Sequence, residues 1–140
     1  MRMDMLEADD VERQWSKLLP MLQASCNSND VGVADITPKD IRDAVRNGTC
    51  ALFVGFLDDK PGCIIALQFS VTNGNKGADI VAMAGKHLMK FKDAYWDIIL
   101  EWLRGNGCKF VDAYANERLA SIYQKKFGFD RSCTYVRKML

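Results

Sequence analysis

The chain has 140 residues, 49% hydrophobic and 26% charged, a composition that suits one soluble globular domain and excludes collagen-like, low-complexity and disordered classes. A chain of this size can bury roughly 68–70% of its unfolded surface, so a core forms without disulfides or metals. The net charge of +1 argues against generic nucleic-acid binding, yet residues 1–70 carry 7 basic and 11 acidic groups while residues 71–140 carry 12 and 7, so an anionic partner is expected to meet the second half.

The five cysteines, Cys26, Cys50, Cys63, Cys108 and Cys133, are scattered without a CxxC pair and read as reduced thiols. His87 is the only histidine, so neither a zinc site nor a Cys-His nucleophile has its usual parts; Asp and Glu could still supply ligands for a hard metal, but no metal site is assigned. No apolar run approaches the ~18 residues of a membrane span, and the opening MRMDMLEADDVERQW is acidic where a signal peptide is apolar. The expected compartment is the cytoplasm, with no membrane contact.

In chain order, MRMDMLE reads as a short strand, and Val11, Trp15, Leu18, Leu19 and Leu22 mark a helix from Asp9 to about Ala24. Pro20 is expected to kink or interrupt its last turn, with SCNSND following as loop. Thr37-Pro38-Lys39-Asp40 reads as an N-cap with proline at the first helical position, opening a short helix that closes at Asn47-Gly48. Residues 50–57 and 63–71 form a hairpin of buried strands around the turn at 58–62, and 78–84 is a third strand after a loop at 72–77. Phe91, Tyr95, Ile98, Ile99, Trp102 and Leu103 follow helical spacing up to Gly105-Asn106-Gly107. KFVDAYA (109–115) alternates as a strand, Asn116 caps a helix ended by Gly128, and residues 132–140 have strand character. These elements form an α/β (α+β) sandwich within a single domain, with a mostly antiparallel sheet and one strand-helix-strand crossover.

The segment NERLASIYQKKFGF (116–129) resembles the GNAT superfamily of acyl-CoA-dependent N-acetyltransferases, where a strand leads into Asn, then Ala, Tyr and Gly-Phe at set spacings. The element order β-α-α-β-β-β-α-β-α-β is similar to that family's along the whole chain. Asn116 and Tyr123 keep the family's spacing to each other, as do Ala120 and Gly128-Phe129, but the two pairs are one residue out of step. In one register Tyr123 takes the place of the family's thiolate-protonating tyrosine, and in the other Gln124 does. A plain packing role for Tyr123 beside Leu119 and Ile122 stands as the alternative.

The family's pyrophosphate loop, Arg or Gln, two residues, Gly, one residue, Gly or Ala, falls by counting on His87-Leu88-Met89-Lys90-Phe91-Lys92, with lysine at both small positions. Lys86, His87, Lys90 and Lys92 either bind a pyrophosphate through side chains or form a solvated helix start. The resemblance further implies that the backbone of Ile80, Val81, Ala82 and Met83 pairs with the pantetheine arm of acetyl-CoA, that Asn116 contacts the same arm, and that Tyr123 is the acid. Asp112, interrupting an apolar strand, is the first candidate for a base of raised pKa, or else it is solvated or ion-paired; Asp79 is second, and His87 better suits a ligand or surface role. Asp30 and Asp35 could attract a cationic amine.

The implied function is transfer of an acetyl group from acetyl-CoA to an amine of a small molecule or protein. The alternative is a degenerate GNAT-fold protein without catalysis, of a kind some phages encode, acting through a protein partner or as a homodimer. A nucleic-acid role ranks last.

Overall fold

The computed structural model describes residues 1–27, 36–115, 117–131, 136, 138 and 140. The elements are β1 (Arg2–Leu6), α1 (Ala8–Asn27), α2 (Pro38–Arg46), β2 (Cys50–Leu57), β3 (Lys60–Thr72), β4 (Asn75–Ala84), α3 (Leu88–Gly105), β5 (Val111–Ala113) and α4 (Glu117–Phe127). They form a five-stranded sheet in the order β1-β2-β3-β4-β5. Every pairing is antiparallel except β4 with β5, which is parallel because α3 carries the chain back between them. The order and types match the sequence reading; the final strand expected in the tail falls mainly on residues outside the description.

Both hairpin turns are tighter than the sequence reading. Asp58-Asp59 and Asn73-Gly74 are two-residue loops with positive φ at all four positions, between the pairs Leu57↔Lys60 and Thr72↔Asn75. The strands therefore begin earlier, β3 at Lys60 and β4 at Asn75. Pro61, which has no N–H for the ladder, sits beside a register shift after Gly55.

The helix α1 runs on through Pro20 to Asn27, correcting the expected interruption. Pro20 and Ser16, whose carbonyl loses its usual partner, are both exposed, so the missing bond leaves no polar group buried, while Leu18 and Leu22 hold the buried face. At the start of α2 the expected cap is present as a capping box. The Asp40 N–H donates to Thr37 Oγ at 3.2 Å and the Thr37 N–H donates to Asp40 Oδ2 at 2.9 Å. Arg42 and Arg46 both reach Glu12, joining α2 to α1.

The sheet is buried on both faces. Under α1 and α2 lie Leu52, Val54, Phe56, Ile64, Ala66 and Ala82; under α3 and α4 lie Phe53, Ile65, Leu67, Ala78 and Ile80. This two-sided burial explains why β2 and β3 read as continuous apolar runs.

Candidate functional site

The parallel ladder of β4 with β5 has three rungs, Ala78↔Val111, Asp79↔Asp112 and Ile80↔Ala113. Beyond it β4 continues to Ala84 while β5 stops, so the two strands part. The parting begins at a bulge, since Leu67 faces Ile80 and Ala66 faces Ala82, leaving Val81 as an extra residue. On the opened side, the Met83 N–H donates to Ser25 Oγ of α1 at 2.9 Å. An amide has one proton, so this one is turned away from β3. Ile80 is enclosed between Leu67 and Ala113, which narrows the expected arm-pairing run from Ile80–Met83 to the residues after Ile80.

Three residues, Gly85, Lys86 and His87, join β4 to α3. The phosphate loop expected at His87–Lys92 is thus corrected: Leu88, Met89, Lys90, Phe91 and Lys92 belong to the first turns of α3. Gly85 has φ 130°, and a Cβ there would stand 2.3 Å from the Gly62 carbonyl oxygen, so only glycine fits. The His87 N–H donates to that same carbonyl at 3.3 Å, pinning the connection to the start of β3. No side chain caps α3 and no acidic residue occupies its first turn, which leaves its N-terminal dipole open to an anion.

Lys86, His87 and Lys90 are exposed around this helix start. Lys92 is not part of the same group: its side chain is 18% exposed, its Nζ lies 3.3 Å from Asp93 Oδ1, and it sits over the Phe127 ring at 5.4 Å. It ties α3 to α4.

The one-residue mismatch around Tyr123 is taken up at the end of α4. The Phe129 N–H donates to the Tyr123 carbonyl at 3.1 Å, spanning six positions, one more than a Schellman closure, with Gly128 at φ 75°. Tyr123 consequently faces inward, its ring 5.5 Å from Phe127 and 5.3 Å from Phe129, while Gln124 is exposed and accepts from Arg131. Burial pushes the Tyr123 hydroxyl up to about 12, so it holds its proton at neutral pH. Tyr123 and Asp112 line one cavity of about 610 Å³ between α3, β5 and α4, which no residue of β4 lines.

Asp112 is exposed, not partly desolvated as expected, because β5 has no described neighbour beyond it. The perturbed carboxyl is its rung partner Asp79, raised by burial, then by the Asp112 charge, against a lowering hydrogen bond from Ser70. Both point to the α1 and α2 side of the sheet, since Ala78, Ile80, Val111 and Ala113 pack on the other. Asn116, Asp30 and Asp35 lie outside the described residues. Ser25 was hidden by its position in the polar SCNSND stretch, and no spacing signal marks it.

No family model matches the chain, and no curated protein matches it by sequence. Its fold, however, is shared with solved acetyltransferases. A ribosomal-protein-alanine N-acetyltransferase from Brucella melitensis biovar Abortus 2308 superposes with a TM-score of 0.68 at 11% identity, covering 99% of this chain and 100% of that one. An aminoglycoside acetyltransferase from an uncultured soil metagenomic sample, in complex with sisomicin, gives 0.68 at 12% identity over 99% and 95%. A predicted acetyltransferase with acetyl-CoA from Clostridium acetobutylicum gives 0.67 at 12% identity over 99% and 95%. The chain has the GNAT fold, and among the described residues no helix is long and apolar enough to cross a membrane.

Proposed function

We propose that this protein transfers an acetyl group from acetyl-CoA to an amine. The observation that carries the reading is the opened edge of β4. There the outward N–H of Met83 is followed, after four residues, by the uncapped N-terminus of α3. One line of backbone thus offers a donor for an amide or thioester carbonyl and, next to it, a positive helix end for a diphosphate. Lys86 and Lys90 add cationic side chains there, with the His87 imidazole beside them, so charge substitutes for the family's small-residue cradle.

Acetyl-CoA supplies the acetyl group already activated as a thioester. The amine nitrogen forms the new C–N bond as the C–S bond breaks, which requires one group to take the amine proton and another to protonate the departing thiolate. Tyr123 is the donor by its place in the resembling motif, and its hydroxyl holds its proton at neutral pH. Asp79 precedes Met83 by four residues, about 13 Å of strand, too far for direct abstraction at a carbonyl held there. Its part, with Asp112 beside it, is to attract a cationic acceptor and receive the proton through water. The acceptor is an amine of a small molecule or a protein.

The presence of acetyl-CoA at about 100 times Kd should raise Tm by roughly 10 °C. Lys86→Glu with Lys90→Glu should remove most of that rise. The absence of any shift at saturating acetyl-CoA overturns the reading. It would favour the non-catalytic alternative, for which the occupation of the Met83 donor by Ser25 already speaks, especially if the protein then co-purifies with a macromolecular partner.

A further inference from the structure

The one outward backbone donor assigned above to a ligand carbonyl is already satisfied, and by a side chain 58 residues away in sequence. Ser25 stands in the last turns of α1, a helix that packs on β4 through the cluster containing Leu18, Leu22 and Ala82. Its hydroxyl oxygen lies at hydrogen-bond distance from the Met83 nitrogen, which is where a carbonyl oxygen of a strand-like ligand has to lie. The two oxygens cannot share the place. Strand ladders elsewhere in the sheet satisfy backbone groups with backbone, so a lone side chain on an edge donor marks the point where pairing has been interrupted.

We infer that Ser25 gates the β4 edge: its hydroxyl stands in for the ligand carbonyl at the Met83 N–H in the free protein and withdraws when the ligand arrives. The inference rests on the reading that acetyl-CoA lies along β4, and adds that the protein exchanges one hydrogen bond for another on binding. The exchange keeps the half-buried amide satisfied in both states, and it sets the affinity below what an empty edge would give. Replacing the hydroxyl removes the competitor without removing any group that touches the ligand.

The test is the Kd of acetyl-CoA for wild type, Ser25→Ala and Ser25→Thr, read by calorimetry, together with the Met83 amide signal in protein labelled with ¹⁵N-methionine. Ser25→Ala should bind about 2- to 10-fold more tightly. Its Met83 amide should exchange faster in the free state and return to protection when ligand is bound. Ser25→Thr, which keeps the hydroxyl, should restore wild-type affinity and exchange. Equal affinity in wild type and Ser25→Ala, or a Met83 signal that ligand leaves unmoved, overturns the gate while acetyl-CoA binding stands. If none of the three proteins binds acetyl-CoA, the acetyltransferase reading fails and the gate fails with it.

Discussion

Phe91 occupies the space that a side chain at Gly55 would need: a Cβ on Gly55 would lie 2.6 Å from the Phe91 ring, and Phe91 is fully buried there. Gly62 forms the other wall, where a Cβ would approach the ring at 3.1 Å. Two glycines on adjacent strands thus make a niche that receives the first turns of α3. The niche fixes where the uncapped end of α3 sits relative to β4. Gly55→Ala should therefore cost about 1–3 kcal/mol as overpacking, and Phe91→Ala about 3–5 kcal/mol as a cavity, in urea unfolding. A Gly55→Ala protein as stable as wild type would show that the ring has another place to go.

The Asp79 and Asp112 rung makes a prediction whose sign differs for activity and for stability. Asp79 is raised, so its ionised form is disfavoured in the folded state. Its contribution to stability is present below its unfolded pKa and lost as pH rises, and Asp79→Asn should raise Tm at pH 7. For turnover the carboxylate is needed, so the acid limb of kcat/KM should lie above the ordinary aspartate range. Asp112→Asn removes the neighbouring charge and should move that limb to lower pH. A limb that Asp112→Asn leaves in place would exclude Asp79 as the group that sets it.

Tyr123→Phe separates chemistry from packing at the same ring. The aromatic contacts with Phe127 and Phe129 survive the substitution, so the melting temperature should change by only a few degrees. If the hydroxyl protonates the leaving thiolate, kcat should fall about 100-fold or more with KM for acetyl-CoA little changed. Undiminished turnover would leave Tyr123 a packing residue only.

What the sequence makes legible follows from how local each signal is. The Thr37 to Asp40 capping box lies within four residues and is readable as it stands. The Asn73-Gly74 turn carried the strongest short hairpin signal, but the polar residues around it blurred the strand ends. That Ile80–Met83 pairs with a ligand rather than a strand is implied by the resemblance alone, and the bulge at Val81 depends on register with β3, which no window along the chain contains. Ser25 on Met83 and Phe91 on Gly55 are contacts between distant segments with no periodicity to mark them. The sequence favours Asp112 over Asp79 because Asp112 interrupts an apolar run, whereas the burial that raises Asp79 is set by the strands on either side of it, which the pattern does not show. The phosphate loop falls on His87–Lys92 only by a count that assumes the family's helix length, whereas α3 here begins at Leu88 and the connection before it is three residues long.

Alkaline pH should destabilise the fold through three buried neutral groups. Burial pushes the Cys50 thiol up to about 12 and the Cys63 thiol up to about 11, and the Tyr123 hydroxyl is held at about 12. Each folded-state value lies above its ordinary one, so each contribution is complete below that ordinary value and is lost as pH climbs through the folded one. Stability should thus be flat up to about pH 8 and then fall, with a slope approaching about 1.4 kcal/mol per pH unit for each thiol between its two values. Cys63 is fully buried, and Cys63→Ala should lower stability at pH 7 by lost packing while flattening the decline between pH 9 and 11. Urea midpoints measured every half unit from pH 7 to 11 check both effects at once, and an unchanged alkaline slope in Cys63→Ala would mean that its thiol ionises without leaving the folded state.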